Sequence, residues 1–109
     1  PPVHGYGAFA GTVVRLTTNG FGGAIDLMVG VDNENKVTGV AIISHSETAS
    51  LGANCTREDF RAQFAGKTGE LAVTKDGGDI DALTGATVTS RAVTRAVNAA
   101  LAYAGEVQK

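Results

Sequence analysis

The segment Asp81-Ala82-Leu83-Thr84-Gly85-Ala86-Thr87-Val88-Thr89-Ser90 gathers hydroxyls and small residues just ahead of the longest helical pattern in the chain. The backbone N–H groups of a helix's first turn lack intrahelical acceptors, and the helix dipole makes that end attractive to anions. A threonine hydroxyl placed there can lie beside a bound phosphate or be esterified to one. Gly85 and Ala86 keep bulk away so that a phosphate can approach the backbone, while Thr84, Thr89 and Ser90 can donate hydrogen bonds to its oxygens. A phosphodiester keeps one negative charge, which a helix N-terminus favours by only about 0.3–1 kcal/mol, so lasting retention would depend on a covalent bond. Asp81 would be repelled by such a group unless its carboxylate caps backbone or meets a cation. The plain alternative is that the whole segment is a polar helix-capping turn.

A second stretch, Ser44-His45-Ser46-Glu47-Thr48, falls where a strand is expected to end. A lone histidine there is more often structural than functional. Two glycine patterns are decoys. Gly5-x-Gly7-x-x-x-Gly11 misses the dinucleotide fingerprint by one residue and precedes a strand instead of following one. Gly20-Phe21-Gly22-Gly23 has no helix after it and reads as a turn. Cys55 reads as an ordinary thiol, and the chain shows neither a hydrolytic triad order nor metal-ligand spacing.

The elements that must position these residues follow from periodicity. Pro1 to Gly7 has none and reads as a loose lead-in; Phe9 to Thr17 alternates imperfectly and is predicted as a strand. Ile25 to Asp32 and Val37 to Ser44 are rich in β-branched residues, with Asn33-Glu34-Asn35 between them, which predicts an antiparallel hairpin. Thr56 is the expected N-cap of a helix with acids in its first turn, Phe60 and Phe64 share one face, and Gly66 is the expected stop. Leu71 to Thr74 is a short strand candidate, followed by a Lys75-Asp76-Gly77-Gly78 turn. The last helix is expected from about Thr89 to Ala104, because Val93, Ala96, Val97, Ala100, Leu101 and Ala104 form one apolar stripe; Gly105 is the expected C′ residue. Most of that stripe is alanine, which lets the helix pack close to a sheet. The fold class is α+β, an antiparallel β-sheet with helices packed against it in one compact domain, residues 1–19 being lead-in and first strand and 20–109 the body.

Composition narrows the field. At 109 residues the chain can bury one modest core, and 43% hydrophobic with 18% charged residues argues against wholesale disorder. A net charge of −2 without a basic cluster argues against a nucleic-acid surface. One cysteine rules out an intramolecular disulfide and a cysteine-based metal cluster. No apolar run approaches the roughly 18 residues that a membrane span needs. The chain starts at Pro1-Pro2 with no signal-peptide pattern.

The Asp81-to-Thr87 segment resembles the flavinylation motif of the FMN-binding domain family, Asp-x-x-Ser/Thr-Gly-Ala-Thr. Gly20-Phe-Gly22-Gly23-Ala-Ile25, Val29-Gly-Val-Asp32, Gly39-Val40, Ser44-His45-Ser-Glu47-Thr48 and Leu51-Gly52 are also similar to this domain in the G subunit of Rnf electron-transport complexes. The C subunit of the sodium-pumping NADH:quinone oxidoreductase is a close relative. The resemblance covers Gly20 to Leu101. It implies FMN joined to Thr87 by a phosphoester, put there by an FMN transferase that uses FAD and magnesium and that reads Asp81. It also implies a flavin pocket formed in part by His45, Glu47, Thr48, Leu51 and Gly52, with Glu47 and Thr48 bonding the ring's polar edge or the ribityl hydroxyls and Leu51 packing on the ring. The family usually has Glu-Thr-Pro-Gly-Leu-Gly where this chain has Glu47-Thr48-Ala49-Ser50-Leu51-Gly52, which frees a restrained turn and adds a hydroxyl.

The function so implied is an electron relay between redox subunits of a membrane complex, on the extracytoplasmic side, without a substrate site of its own. Members usually carry an N-terminal membrane helix, so the chain is expected to be an excised soluble fragment or a naturally short relative. The alternatives are a soluble exported flavin shuttle, a reductase module, or a domain that binds FMN non-covalently.

Overall fold

A computed structural model of the chain describes residues 3–8, 11–20, 22–45, 55–83 and 85–107. Four strands, β1 (Val3–Ala8), β2 (Gly11–Asn19), β3 (Ala24–Asp32) and β4 (Val37–His45), form an antiparallel sheet in the order β1-β2-β3-β4. A one-turn helix α1 (Glu58–Arg61) and a 21-residue helix α2 (Thr87–Val107) complete the fold. The expected α+β architecture is what forms.

The sheet follows from alternation in β2 and β3. Ile25, Leu27, Val29 and Val31 are buried, as are their neighbours Val14 and Leu16, while Asp26, Met28, Gly30 and Asp32 between them keep some exposure. The predicted hairpin is present. Asn35 sits at φ 62°, and the Asp32 carboxylate accepts the N–H groups of Glu34 and Lys36, each at 2.9 Å. Residues Val3–Ala8, all but Ala8 expected as lead-in, instead pair with β2 from Val3↔Leu16 to Ala8↔Gly11. Ladder pairing depends on backbone groups, so a stretch without side-chain periodicity can still be a strand at the edge of the sheet.

One irregularity in β4 matters for the site. Leu27 pairs with Ile42 and Asp26 with Ser44, so Ile43 is an extra residue with no partner on β3. Ile43 is accordingly 45% exposed. Because successive strand residues alternate faces, the bulge sets His45, rather than Ser44, opposite buried Ile25. His45 is thereby on the core side of the sheet.

Helix α2 lies over β2 and β3 on that side. Its stripe of Val93, Ala96, Val97, Ala100, Leu101 and Ala104 is buried as expected. The helix starts at Thr87, two residues earlier than expected, and continues through Gly105, whose φ is not positive. Gly105 stays helical and faces the Asn35 side chain, where a Cβ would sit 3.7 Å from the amide. Near the middle of the helix, Arg95 donates to the Asn19 carbonyl at 3.1 Å. The helix therefore runs parallel to β3, and its N-terminus emerges at the sheet end where β2 stops, β3 starts and β4 finishes.

Two local expectations are corrected. Arg57, not Thr56, is the N-cap residue of α1, which has no side-chain cap bond; Arg57 and the first-turn Asp59 pair with each other instead. Leu71–Thr74 is not a strand: Val73 makes one isolated bridge to Ile80, and Thr74–Asp76 is a 3₁₀ turn closed by Gly77 at φ 90°. The Asn98 side chain takes over the ladder's role by donating to the Leu71 carbonyl and accepting its N–H, both at 2.8 Å. Phe60 and Phe64 meet edge to face, 5.6 Å between centroids, and Gly66 turns at φ 79° as expected.

Candidate functional site at the start of the long helix

Ala86 is where the helix begins. Its carbonyl accepts the first helical bond from the Ser90 N–H at 3.0 Å, so the amides of Thr87, Val88 and Thr89 lie ahead of the helical ladder. Gly85 precedes it at φ 70° and is exposed, a left-handed position that favours glycine. The loop is closed from within. Ser90 is 0% exposed; its hydroxyl accepts the Leu83 N–H and donates to the Ala86 carbonyl, each at 2.8 Å. A second loop bond runs from the Ala86 N–H to the Leu83 carbonyl at 3.0 Å.

Burial sorts the hydroxyls expected to meet a phosphate. Thr89 is 1% and Thr94 4% exposed, and Thr94 donates to the Ser90 carbonyl at 2.8 Å. Ser90 is committed to the loop as described. Thr87 alone among the serine and threonine residues of α2 is not buried. Ala86 is buried and Val88, beside Thr87, is 47% exposed. Thr84 lies outside the described residues, as do Glu47, Thr48, Leu51 and Gly52.

His45 stands at the sheet end where α2 emerges, on the helix side, and its Nδ1 is buried without a hydrogen-bond partner among the described residues. A buried polar atom left unpaired costs free energy, so it marks a place where an outside group with a hydrogen-bonding edge fits. Thr87 supplies an accessible hydroxyl at a helix N-terminus and His45 an unpartnered nitrogen at the same end of the fold. The pair fits a phosphorylated ligand with a polar ring.

Three contacts that local sequence patterns do not signal tie the helices to the loops packed beside them. Gln63 donates to the Asp81 carbonyl at 3.0 Å and accepts the Asp81 N–H at 2.6 Å across 18 residues. Asn98 makes the analogous clamp on Leu71. Arg91, one turn into α2, makes a bidentate pair with Asp76, both bonds at 2.8 Å. Asp81 itself is exposed, beside a cleft of about 360 Å³ lined by Arg57, Asp59, Phe60, Gln63, Asp81 and Leu83 among others.

The Arg91 hydrogen bonds hold the Asp76 carboxyl below its ordinary value against a smaller opposing desolvation, with charge attraction to Arg91 adding to the lowering. A depressed carboxyl contributes stability that is complete above its unfolded pKa and is lost as pH falls through the folded value. Asp76→Asn is therefore expected to lower Tm slightly at neutral pH. The wild type should lose that advantage on acidification through about pH 4 and below, so the two curves converge. Thermal melts at stepped pH would show this; a constant gap down to the lowest pH would refute it. Both side chains are about two-fifths exposed, so the effect is small.

The fold and this hydroxyl-bearing helix start define a small α+β domain with a polar loop at one end of a long helix. The FMN-binding domain family matches residues 20–102, and the chain belongs to it, with FMN as its cofactor. The chain is 46% identical over 93 residues to the G subunit of the proton-translocating ferredoxin:NAD(+) oxidoreductase complex of Clostridium ljungdahlii, covering 82% of this chain and 50% of that protein. It is 44% identical over 103 residues to the G subunit of the ion-translocating oxidoreductase complex of Escherichia coli, covering 87% and 50%. The corresponding G subunit from Methanosarcina acetivorans is 37% identical over 99 residues, covering 89% and 53%. The chain thus spans about half the length of these relatives. Its fold is similar to that of the C subunit of the sodium-translocating NADH-quinone reductase from Parabacteroides distasonis, with a TM-score of 0.70, 22% identity, and 97% and 60% of the two chains covered. Among the described residues, no helix is long and apolar enough to cross a membrane.

Proposed function

We propose that this domain carries FMN covalently on Thr87, through a phosphoester, and relays electrons within an Rnf-type membrane complex. The observation that carries the reading is the sorting of hydroxyls at the start of α2: Thr89, Ser90 and Thr94 face inward, and Thr87 does not. When bound, FMN supplies the redox chemistry; the chain supplies anchoring and surroundings. Thr87 gives the hydroxyl oxygen that is esterified. Gly85 and Ala86 leave room for the phosphate, and the first amides of α2 face its remaining charge. Ser90 shapes the loop from within. His45 offers its buried Nδ1 to the flavin's polar edge, with Glu47, Thr48, Leu51 and Gly52 completing that wall and Thr84 and Thr89 flanking the anchor. Other redox subunits exchange electrons with the domain, on the extracytoplasmic face; that the relatives are subunits of oxidoreductase complexes supports the relay.

In maturation, an FMN transferase acts on FAD with magnesium. A bond forms between Thr87 Oγ and the FMN phosphorus, the phosphoanhydride bond of FAD breaks, AMP leaves, and the hydroxyl proton is released. Intact mass under denaturing conditions, after co-expression with such a transferase, should show a gain of FMN minus one water, mapped to the peptide bearing Thr87. An unmodified mass, with a control domain modified in the same cells, would leave a non-covalent site.

A further inference from the structure

We infer that Gln63 is a positioning residue for flavin transfer: it fixes the Asp81 backbone at the near end of the acceptor segment, ahead of Thr87. This deepens the covalent reading of Thr87 and rests on it. The segment is held at two points. At its far end, the Ser90 hydroxyl joins Leu83 to Ala86 beneath Thr87. At its near end, the only contacts that fix the Asp81 backbone among those described come from the Gln63 amide, which takes both its N–H and its carbonyl. With both backbone groups satisfied, Asp81 is left exposed next to the open cleft beside α1.

Gln63 is itself fixed. It sits between Phe60 and Phe64, both buried, and its amide also reaches the Phe60 carbonyl at 3.4 Å. A clamp built on packed aromatics places the Asp81 backbone before any enzyme arrives. A transferase that reads Asp81 and Thr87 then meets the first of them already placed, which lowers the ordering left to be done in the encounter. Gln63 touches neither FAD nor the reacting atoms; it acts through Asp81.

Asn98 supplies a matched control, because it clamps Leu71 with the same pair of hydrogen bonds away from the acceptor segment. The test is an in vitro transfer assay with purified unmodified domain, FAD, Mg²⁺ and an FMN transferase. Covalent flavin is read from denaturing gels against acceptor concentration, and Tm is measured in parallel. Gln63→Ala is expected to lower kcat/KM for transfer about tenfold, whereas Asn98→Ala should stay within about twofold of wild type at a comparable loss of Tm. Gln63→Glu, which keeps the acceptor for the Asp81 N–H and loses the donor to its carbonyl, should fall between, and it serves if the alanine variant fails to fold. Once loaded to completion, the Gln63 variants should give the wild-type flavin absorption spectrum. Undiminished transfer to the Gln63 variants, or an equal deficit in Asn98→Ala, would overturn the inference while leaving Thr87 as the anchor. No transfer to the wild type would overturn the covalent reading, and this inference with it.

Discussion

Replacing Thr87 with alanine is expected to remove all flavin that survives denaturation while leaving the fold intact. The loop that shapes the site does not depend on the hydroxyl that is lost. The turn at Leu83–Ala86 is closed by Ser90 and by the Ala86 amide, and the helix ladder starts from the Ala86 carbonyl. Thr87 is only half-buried, so its truncation should change stability by no more than about 0.5 kcal/mol in either direction. No neighbour on the helix can substitute, because Thr89 is 1% and Ser90 0% exposed. The wild type and Thr87→Ala, co-expressed with an FMN transferase, would be run on a denaturing gel under ultraviolet light. Fluorescence should be confined to the wild type. A fluorescent Thr87→Ala band would move the anchor elsewhere. Thr87→Ser, which keeps the hydroxyl, should restore part of the signal.

The largest expected stability effect lies at Phe64. Its ring is fully buried, packs edge to face on Phe60, and belongs to the same core as Val73, Ile80 and α2. Truncating a buried phenylalanine to alanine costs about 3–5 kcal/mol, the lost transfer free energy plus that of the cavity left behind. A domain of this size has only about 5–15 kcal/mol in total. Phe64→Ala should therefore lower Tm by roughly 12–20 °C, measured by calorimetry or circular dichroism on the unmodified domain. A drop of a few degrees would mean that the core collapses around the gap, and that α1 is less tightly tied to the sheet than its packing implies. Gln63 is the adjacent residue, so the same variant should also slow flavin transfer.

How much of the molecule is legible in its residue order depends on the range of the interactions involved. The β3–β4 hairpin and the stripe on α2 declare themselves through alternation and a turn of three adjacent residues, and both form as expected. So does the Phe60/Phe64 pair, four positions apart. The hydroxyl cluster before α2 is visible as a motif, but the division of labour within it is not. Nothing in the order of residues says that Ser90 turns back to close the loop while Thr87 stays accessible; that depends on where the helix begins, two residues before the apolar stripe implies. The strand at Val3–Ala8 has no signature because ladder pairing rests on backbone groups that every residue carries, and the strand expected at Leu71–Thr74 is absent because a side chain 27 residues away satisfies Leu71. Gln63 and Asn98 have no local signature at all, since an amide in a helix reads as a solvated face until the fold brings a strand-like segment against it.

The bulge at Ile43 acts on the aim of His45 more than on its side of the sheet. What Ile43 contributes is its presence as one unit of chain, more than any property of its side chain, which is 45% exposed. Substituting it leaves the pairing of β4 unchanged, and removing it would leave a regular ladder in which Ser44 still faces Asp26 and His45 still faces Ile25, without the bend and twist that an extra residue puts into a strand. The domain is thus tolerant of spelling at this position, and the loss of one residue here would keep the imidazole on the helix side while changing the direction from which it approaches a cofactor.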